Sequence, residues 1–213
     1  MNKIYVISLD NELGKNRRDL LNYEYTWFKG IDGDFPEEEI LKKVYIRPKT
    51  SKKIQRSKYG SFNSYYRLFE KIIENKENKV IIVEDDCFIK SPIDMDLGDK
   101  PLYLNGRLSH PKNWNKNIKF MKENTIGFKN GVNEIDYDKY RIASHWGLYF
   151  PTWQDVDSLF QKLKSLKKWT WIDLTIMKKK WIKHLYYPSL FYHNDFKKNT
   201  YGEGFGLWDN YTY

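Results

Sequence analysis

Val80-Ile81-Ile82-Val83-Glu84-Asp85-Asp86 decides how the rest of this chain is read. Four consecutive branched apolar residues form a run too short for an independent helix, and they fit a strand buried on both faces. Three carboxylates follow at once. They cannot all be buried unpaired, because desolvating even one ionised carboxylate is costly. They must face solvent, meet bases, or bind a cation.

Working outward, the same alternation of strand and helix recurs. Ile4 to Leu9 is a second continuous apolar run, ending at Asp10, and Arg17 and Arg18 follow, with a short helix expected around Leu20-Leu21. Tyr25 to Lys29 reads as a strand closed by the turn Ile31-Asp32-Gly33-Asp34. Ser61 to Asn75 carries apolar residues at helical spacing (Phe62, Tyr65, Tyr66, Phe69, Ile72 and Ile73), with Ser61 as N-cap. Beyond the triplet, strands are expected at Pro101–Leu104, Trp146–Phe150 and Leu185–Leu190, and helices at Asp155–Lys167 and Trp171–Ile182. Asn105 to Asn133 is polar and gives little pattern. The tail from Tyr192 to Tyr213 is expected to wrap the surface. The alternation predicts an α/β fold with a largely parallel central sheet flanked by helices. In such sheets ligands collect at the carboxyl ends of the strands, where the triplet stands.

Composition sets the outer bounds. The chain has 213 residues, enough for one domain with a sizeable core, and its eight Trp and 17 Tyr argue against disorder. A net charge of +9 attracts anions, so nucleic acid, an anionic membrane surface or a nucleoside diphosphate all qualify as partners. The lysine pairs are scattered, as on solvated faces. The single cysteine, Cys87, excludes an intrachain disulfide and suits a reducing compartment. The apolar start is too short for a secretory signal or a membrane span, so a soluble cytoplasmic protein is expected.

Several groups carry chemistry. Oxygen ligands such as Glu84, Asp85 and Asp86 suit manganese or magnesium, and a metal there offsets charge on two phosphates; the alternative is a solvated strand-to-loop turn. His193, near Asp195, offers an imidazole to the same ion or is an ordinary surface or core histidine. His110, His145 and His184 have less to recommend them. Asp173 is either a first-turn charge favoured by the helix dipole or a base that deprotonates an acceptor hydroxyl. Asp10, Arg17 and Arg18 either form surface ion pairs or hold ribose and phosphate oxygens. Cys87, beside carboxylates, reads as core rather than nucleophile. No phosphate-cradling Gly-rich loop, Walker sequence, Cys-x-x-Cys or Gly-x-Ser-x-Gly elbow is present.

Taken in order, these pieces resemble the glycosyltransferases of the lipopolysaccharide-biosynthesis type, a family that includes the collagen galactosyltransferases. Val6-Ile7-Ser8-Leu9-Asp10 with Arg17-Arg18 matches the family's opening strand and basic pair, with Ser8 in place of the usual Asn. Phe28-Lys29-Gly30-Ile31-Asp32-Gly33 is similar to its strand ending near Asp-Gly. Gly60-Ser61-Phe62-Asn63-Ser64-Tyr65 is similar to its Gly-x-x-x-Ser-His helix, with Tyr65 where His is usual. Glu84-Asp85-Asp86 matches outright, Tyr103-Leu104 corresponds to a Tyr-Leu strand, and Trp171-Ile172-Asp173 to a Pro-x-Asp-like segment. The short length and Lys/Asn-rich style are also similar to a viral glycosyltransferase domain that decorates a capsid protein.

The resemblance implies a GT-A fold over a single domain, with residues 1–105 binding a nucleotide sugar and 106–213 binding the acceptor. It implies a UDP-sugar donor, a glycan or glycoprotein acceptor, and a manganese or magnesium ion on a DxD-like motif. Asp86, Glu84 and His193 are the implied metal ligands and Asp173 the base. Ser8, Leu9, Asp10, Arg17, Arg18, Tyr59, Ser64, Glu84 and Asp85 are the implied contacts to the nucleotide sugar. The competing readings are a metal-dependent nuclease or phosphodiesterase, which needs a second acidic cluster, and a non-enzymatic nucleic-acid-binding domain.

Overall fold

The structure, a computed structural model, describes residues 2–34, 37–89, 96–104, 119, 122–123, 125–138, 147–169 and 171–193. An eight-stranded sheet runs through it. Its parallel block is built from β1 (Lys3–Leu9), β2 (Thr26–Gly30) and β3 (Val80–Glu84), with β1 in the centre. Five further strands extend the sheet: β5 (Leu102–Tyr103), β6 (Thr125–Ile126), β7 (Gly131–Ile135), β8 (Gly147–Phe150) and β9 (His184–Tyr187). The order is β2-β1-β3-β8-β5-β9-β7-β6. The expected α/β architecture is therefore present. Parallel pairing holds within β2-β1-β3 and between β5 and β9, while β8, β7 and β6 pair antiparallel with their neighbours. A separate ribbon pairs β4 (Cys87–Ile89) with β10 (Phe191–His193).

Helices lie on both faces: the first, beside Ser8, shares the face of Val6, and the longer ones cover the face of Tyr5 and Ile7. The longest, α3 (Lys52–Glu74), lays Phe62, Tyr65, Phe69 and Ile72 on Tyr5, Ile7, Val80 and Ile82 of the sheet. It begins ten residues before the expected start: Ser51 rather than Ser61 is the N-cap, its hydroxyl accepting the Ile54 N–H, and Ser61 lies mid-helix. The expected short helix at Leu20-Leu21 is instead α1 (Glu12–Arg18), capped by Asn11, whose side chain accepts the Gly14 N–H at 2.7 Å. A short helix without an expected counterpart, α2 (Glu38–Lys43), precedes α3. α4 (Trp153–Ser165) opens on a reciprocal capping box between Thr152 and Asp155. α5 (Ile172–Lys178) stops four residues short of the expected end, at Lys179 and Lys180, the latter with a φ of 55°. The parallel-stacked rings of Phe62 and Trp169, 5.0 Å apart, and the edge-on pair Tyr66 and Phe160, 4.6 Å apart, lock α3 to α4 and to the segment before α5.

The other face of the sheet is closed by a smaller apolar cluster in which Val6, Ile81, Val83 and Tyr149 meet Leu97, Leu190, Phe191 and Cys87. The expected strand at Leu185–Leu190 ends at Tyr187, since Pro188 has no N–H to continue a ladder. Trp146, most of the Asn105–Asn133 stretch and the tail beyond His193 fall wholly or largely outside the described residues.

The main core holds a polar side chain as well. Asn63 is fully buried on α3, and its side-chain nitrogen and oxygen have no hydrogen-bond partner among the described residues. A buried unpaired amide costs roughly 1–3 kcal/mol. Asn63→Leu, which keeps the branching and the number of side-chain heavy atoms, is expected to raise the free energy of unfolding by about 1–3 kcal/mol in urea melts. A loss of stability would mean that the amide is satisfied after all.

Candidate active site

The site grows from a topological accident of parallel strands. β1 and β3 point the same way, with Ile7 level with Glu84, so Ser8 and Leu9 end beside the triplet. The three carboxylates then meet three different fates.

Asp85 turns inward. Its Oδ2 accepts the Ser8 hydroxyl at 2.6 Å, and its Oδ1 accepts Arg17 Nη1 at 3.0 Å, with both charged side chains at most 5 % exposed. Arg18 completes the brace, donating from Nη1 to Ser8 Oγ at 2.7 Å and to the Leu9 carbonyl at 2.9 Å, while its guanidinium lies 4.0 Å from the Trp27 ring. Arg17 and Arg18 are buried and committed to this network. α1 comes close enough to form it only because Gly14 has no side chain: a Cβ there would stand 2.3 Å from the Leu9 carbonyl oxygen. Burial and Asp86 push the Asp85 carboxyl up to about 6, against the downward pull of Arg17 and Ser8.

Glu84 faces the other way, toward Tyr65 of α3, and Asp86 follows in the turn, its Oδ1 accepting the Cys87 thiol at 3.7 Å. Glu84 is half-buried, and burial together with Asp86, Asp85 and Asp173 pushes its carboxyl up to about 8; a hydrogen bond from Tyr65 pulls it down. Asp86 is 7 % exposed. Asp173, in the first turn of α5, is close enough to act on Glu84 and Tyr65. Its carboxylate accepts the N–H groups of Leu174 and of Asp173 itself, while burial pushes it up to about 6. Tyr65 is fully buried, and burial plus the surrounding acids keep its hydroxyl protonated and able to donate. Tyr23 also stands near Cys87, Asp86 and Asp85, and it donates to the Cys87 carbonyl at 2.8 Å.

The remaining expected residues are spread around this centre. His193 pairs across β10–β4 with Cys87, which brings its backbone next to the residue after Asp86; its side chain and Asp195 lie outside the description. Asp10 is exposed and pairs with Lys29 at 2.7 Å. Ser64 accepts the Ile31 N–H at 2.8 Å and donates to the Gly60 carbonyl at 2.7 Å, fastening β2's exit to α3. Tyr59 packs at the edge of the main core. Cys87 is buried with its thiol pushed up by burial and Asp86, as expected of a core residue. His184 lines a cavity of about 500 Å³ with Lys100, Lys129 and Glu134. Lys100 and His184 sit at the amino ends of β5 and β9, remote from the acids, so that cavity is not where the chemistry gathers. Trp27 and Tyr23 were not singled out from the sequence; their role depends on side-chain packing that no local pattern encodes.

The donor set suits a hard cation. Glu84, Asp86 and Asp173 crowd negative charge into a partly buried space, and the ion pair found at the triplet, Arg17–Asp85, serves the residue that faces away. Among the described residues no three His, Cys, Asp or Glu side chains are drawn together into a finished metal cage. None of the described helices is long and apolar enough to cross a membrane.

An acidic centre at the carboxyl ends of parallel strands, on a mixed α/β sheet, is the layout of an enzyme that handles a charged small-molecule substrate. The family model for glycosyltransferase family 25 (LPS biosynthesis protein) matches residues 1–138, and the chain belongs to that family. The match takes in the Asp85 brace and the whole triplet; α5 with Asp173, and β10 with His193, lie beyond it. No curated protein matches the chain.

Proton linkage follows directly. Glu84 and Asp173 bind protons more tightly folded than unfolded, since their ordinary values near 4.5 and 3.8 rise to about 8 and about 6. Their protonation stabilises the fold fully at low pH and is lost as pH climbs through the folded values. In metal-free buffer the melting temperature is expected to fall between pH 5.5 and 8.5, and Glu84→Gln is expected to flatten the upper part of that slope. A melting temperature that rises over this interval in wild type would contradict the electrostatics described.

Proposed function

We propose that the chain transfers a sugar from a UDP-sugar to a hydroxyl group of a glycan or glycoprotein, with inversion at the anomeric carbon. The observation that carries this reading is the convergence of Glu84, Asp86 and Asp173 beside parallel strand ends in a chain of a glycosyltransferase family. Asp86 and Glu84 would hold a manganese or magnesium ion, with His193 added from β10. When bound, such an ion supplies charge stabilisation to the departing nucleoside diphosphate.

Every other step belongs to the chain's own residues. Tyr65 orients Glu84 through its hydroxyl, leaving the carboxylate toward the cleft and the nucleotide ribose. Asp173 takes the proton from the acceptor hydroxyl. Its two backbone N–H donors fix the carboxylate's position, and its raised pKa makes it a better proton acceptor than an ordinary aspartate. Attack from the face opposite the diphosphate inverts the configuration, as water does in inverting glycoside hydrolysis. Residues 1–105 form the donor half and 106–213 the acceptor half. The single, buried cysteine fits a reducing compartment, and we assign the enzyme to the cytoplasm. Family membership favours sugar transfer over the phosphodiesterase and oligonucleotide-binding readings.

Asp86→Ala is expected to abolish transfer, and EDTA to do the same to the native enzyme; full turnover in either case removes the metal from the mechanism. Asp173→Asn is expected to lower kcat by about 10²–10⁴-fold while UDP affinity stays within a few-fold. Turnover undiminished in that variant assigns the base elsewhere.

A further inference from the structure

The basic residues of this chain are mostly solvated or paired: Lys29 with Asp10, Arg56 with Asp32, Arg67 with Glu37. Lys58 differs. It is only 7 % exposed, on the second turn of α3. Its ammonium donates to the Tyr45 carbonyl and stands 6.0 Å from the Tyr45 ring and 5.8 Å from the Trp171 ring. Burial, and then the like charge of Arg47, draw Lys58 below the ordinary lysine value. A covered cation beside a like charge, with no carboxylate among its described partners, is an expensive arrangement for stability alone. A surface-seeking lysine would swing into water, since its long stem makes snorkelling easy.

Position gives the arrangement a use. Lys58 and Tyr65 are seven residues apart, so they share a face of α3 about 10 Å apart along the axis. Tyr65 touches Glu84 and feels Asp173. Trp171, the ring beside Lys58, is the N-cap residue of α5 and lies two positions before Asp173. Tyr45, 44 % exposed, and Arg47, also exposed, leave the spot open to solvent on one side. Lys58 therefore forms a cationic rim about two turns of α3 from Tyr65 and the acidic floor around it.

We propose that Lys58, walled by Tyr45 and Trp171 and backed by Arg47, is a substrate-binding residue that takes an oxyanion, a phosphate or carboxylate, on the same face of α3 as Tyr65. A ligand oxyanion supplies the negative charge that the fold withholds from this ammonium, and the two rings flank it with apolar surface. The acidic floor repels anions, so a cationic rim also orients an anionic substrate with its charged group outward. Which molecule brings the oxyanion, donor or acceptor, rests on the sugar-transfer reading; the anion site itself does not.

The test uses inorganic pyrophosphate with EDTA present, so that binding through a cation at the acids is eliminated. In protein labelled with ¹⁵N-tryptophan, the Trp171 indole resonance, assigned with Trp171→Phe, is expected to shift saturably on titration. Lys58→Gln is expected to weaken that binding by tenfold or more, and Lys58→Arg to keep it within a few-fold; circular dichroism checks that each variant is folded. The absence of a saturable shift in wild type, or equal affinity in Lys58→Gln, overturns the proposal. If Lys58→Gln also weakens UDP but not uridine, the oxyanion is the donor's diphosphate. If UDP is unaffected while pyrophosphate competes with the acceptor, it is the acceptor's acidic group. Pyrophosphate binding in a protein that transfers no sugar keeps the anion site and removes the transferase reading; transfer without pyrophosphate binding does the reverse.

Discussion

Negative charge packed against the carboxyl end of β3 is the constraint around which the rest of this molecule is arranged. A strand as apolar as Val80 to Val83 must be buried, yet it delivers Glu84, Asp85 and Asp86 directly behind it. The fold answers by separating them. Asp85 goes to Ser8 and Arg17, and this ties β3 to β1 and α1 across 77 and 68 residues of chain. Removing one member of a buried ion pair costs about 3–5 kcal/mol, because the other charge is left uncompensated. The brace explains why α1 needs Gly14 against the Leu9 carbonyl and why Arg18 is sandwiched between Ser8 and Trp27.

With Asp85 paired to Arg17, Glu84 is left to the charges of Asp86 and Asp173 and to the hydroxyl of Tyr65. Burial, Asp86, Asp85 and Asp173 raise the proton affinity of Glu84 where the chain places a phenol, Tyr65, rather than a cation. A neutral donor fixes geometry without cancelling charge. The centre is thus locally acidic on a protein that carries +9 overall. The field of the whole molecule draws anions toward it, while the acids refuse them unless a cation mediates.

Much of this was legible in the sequence, and the illegible parts have definite causes. β1 and β3 stand out because burial on both faces demands unbroken apolar runs. The buried faces of α3 and α4 stand out because their apolar residues recur at helical spacing. The start of α3 did not: its first two turns, Lys52 to Tyr59, are largely polar, and Ser51 caps them with no apolar signal nearby. The antiparallel direction of β8 is not encoded in Gly147–Phe150, since a fully buried strand reads the same in either sense. β7 lies in a stretch of Gly, Asn and Glu with poor strand propensity, and it forms because β9 offers it a ladder. In the site, the family likeness pointed to the triplet, Asp173, Arg17 and Arg18. It could not tell that Asp85 would be tied to both β1 and α1, because that partnership depends on contacts between residues distant in sequence. The Asp85 brace also shows why a residue can match a motif and yet serve as a strut.

Isothermal titration of UDP into the native protein, with and without manganese, tests the central claim most directly. If the acids after Val83 form a cation site that holds a diphosphate, UDP binds at least tenfold more tightly with manganese than with EDTA, and Asp86→Ala erases the difference. Equal UDP affinity in both buffers would contradict the account.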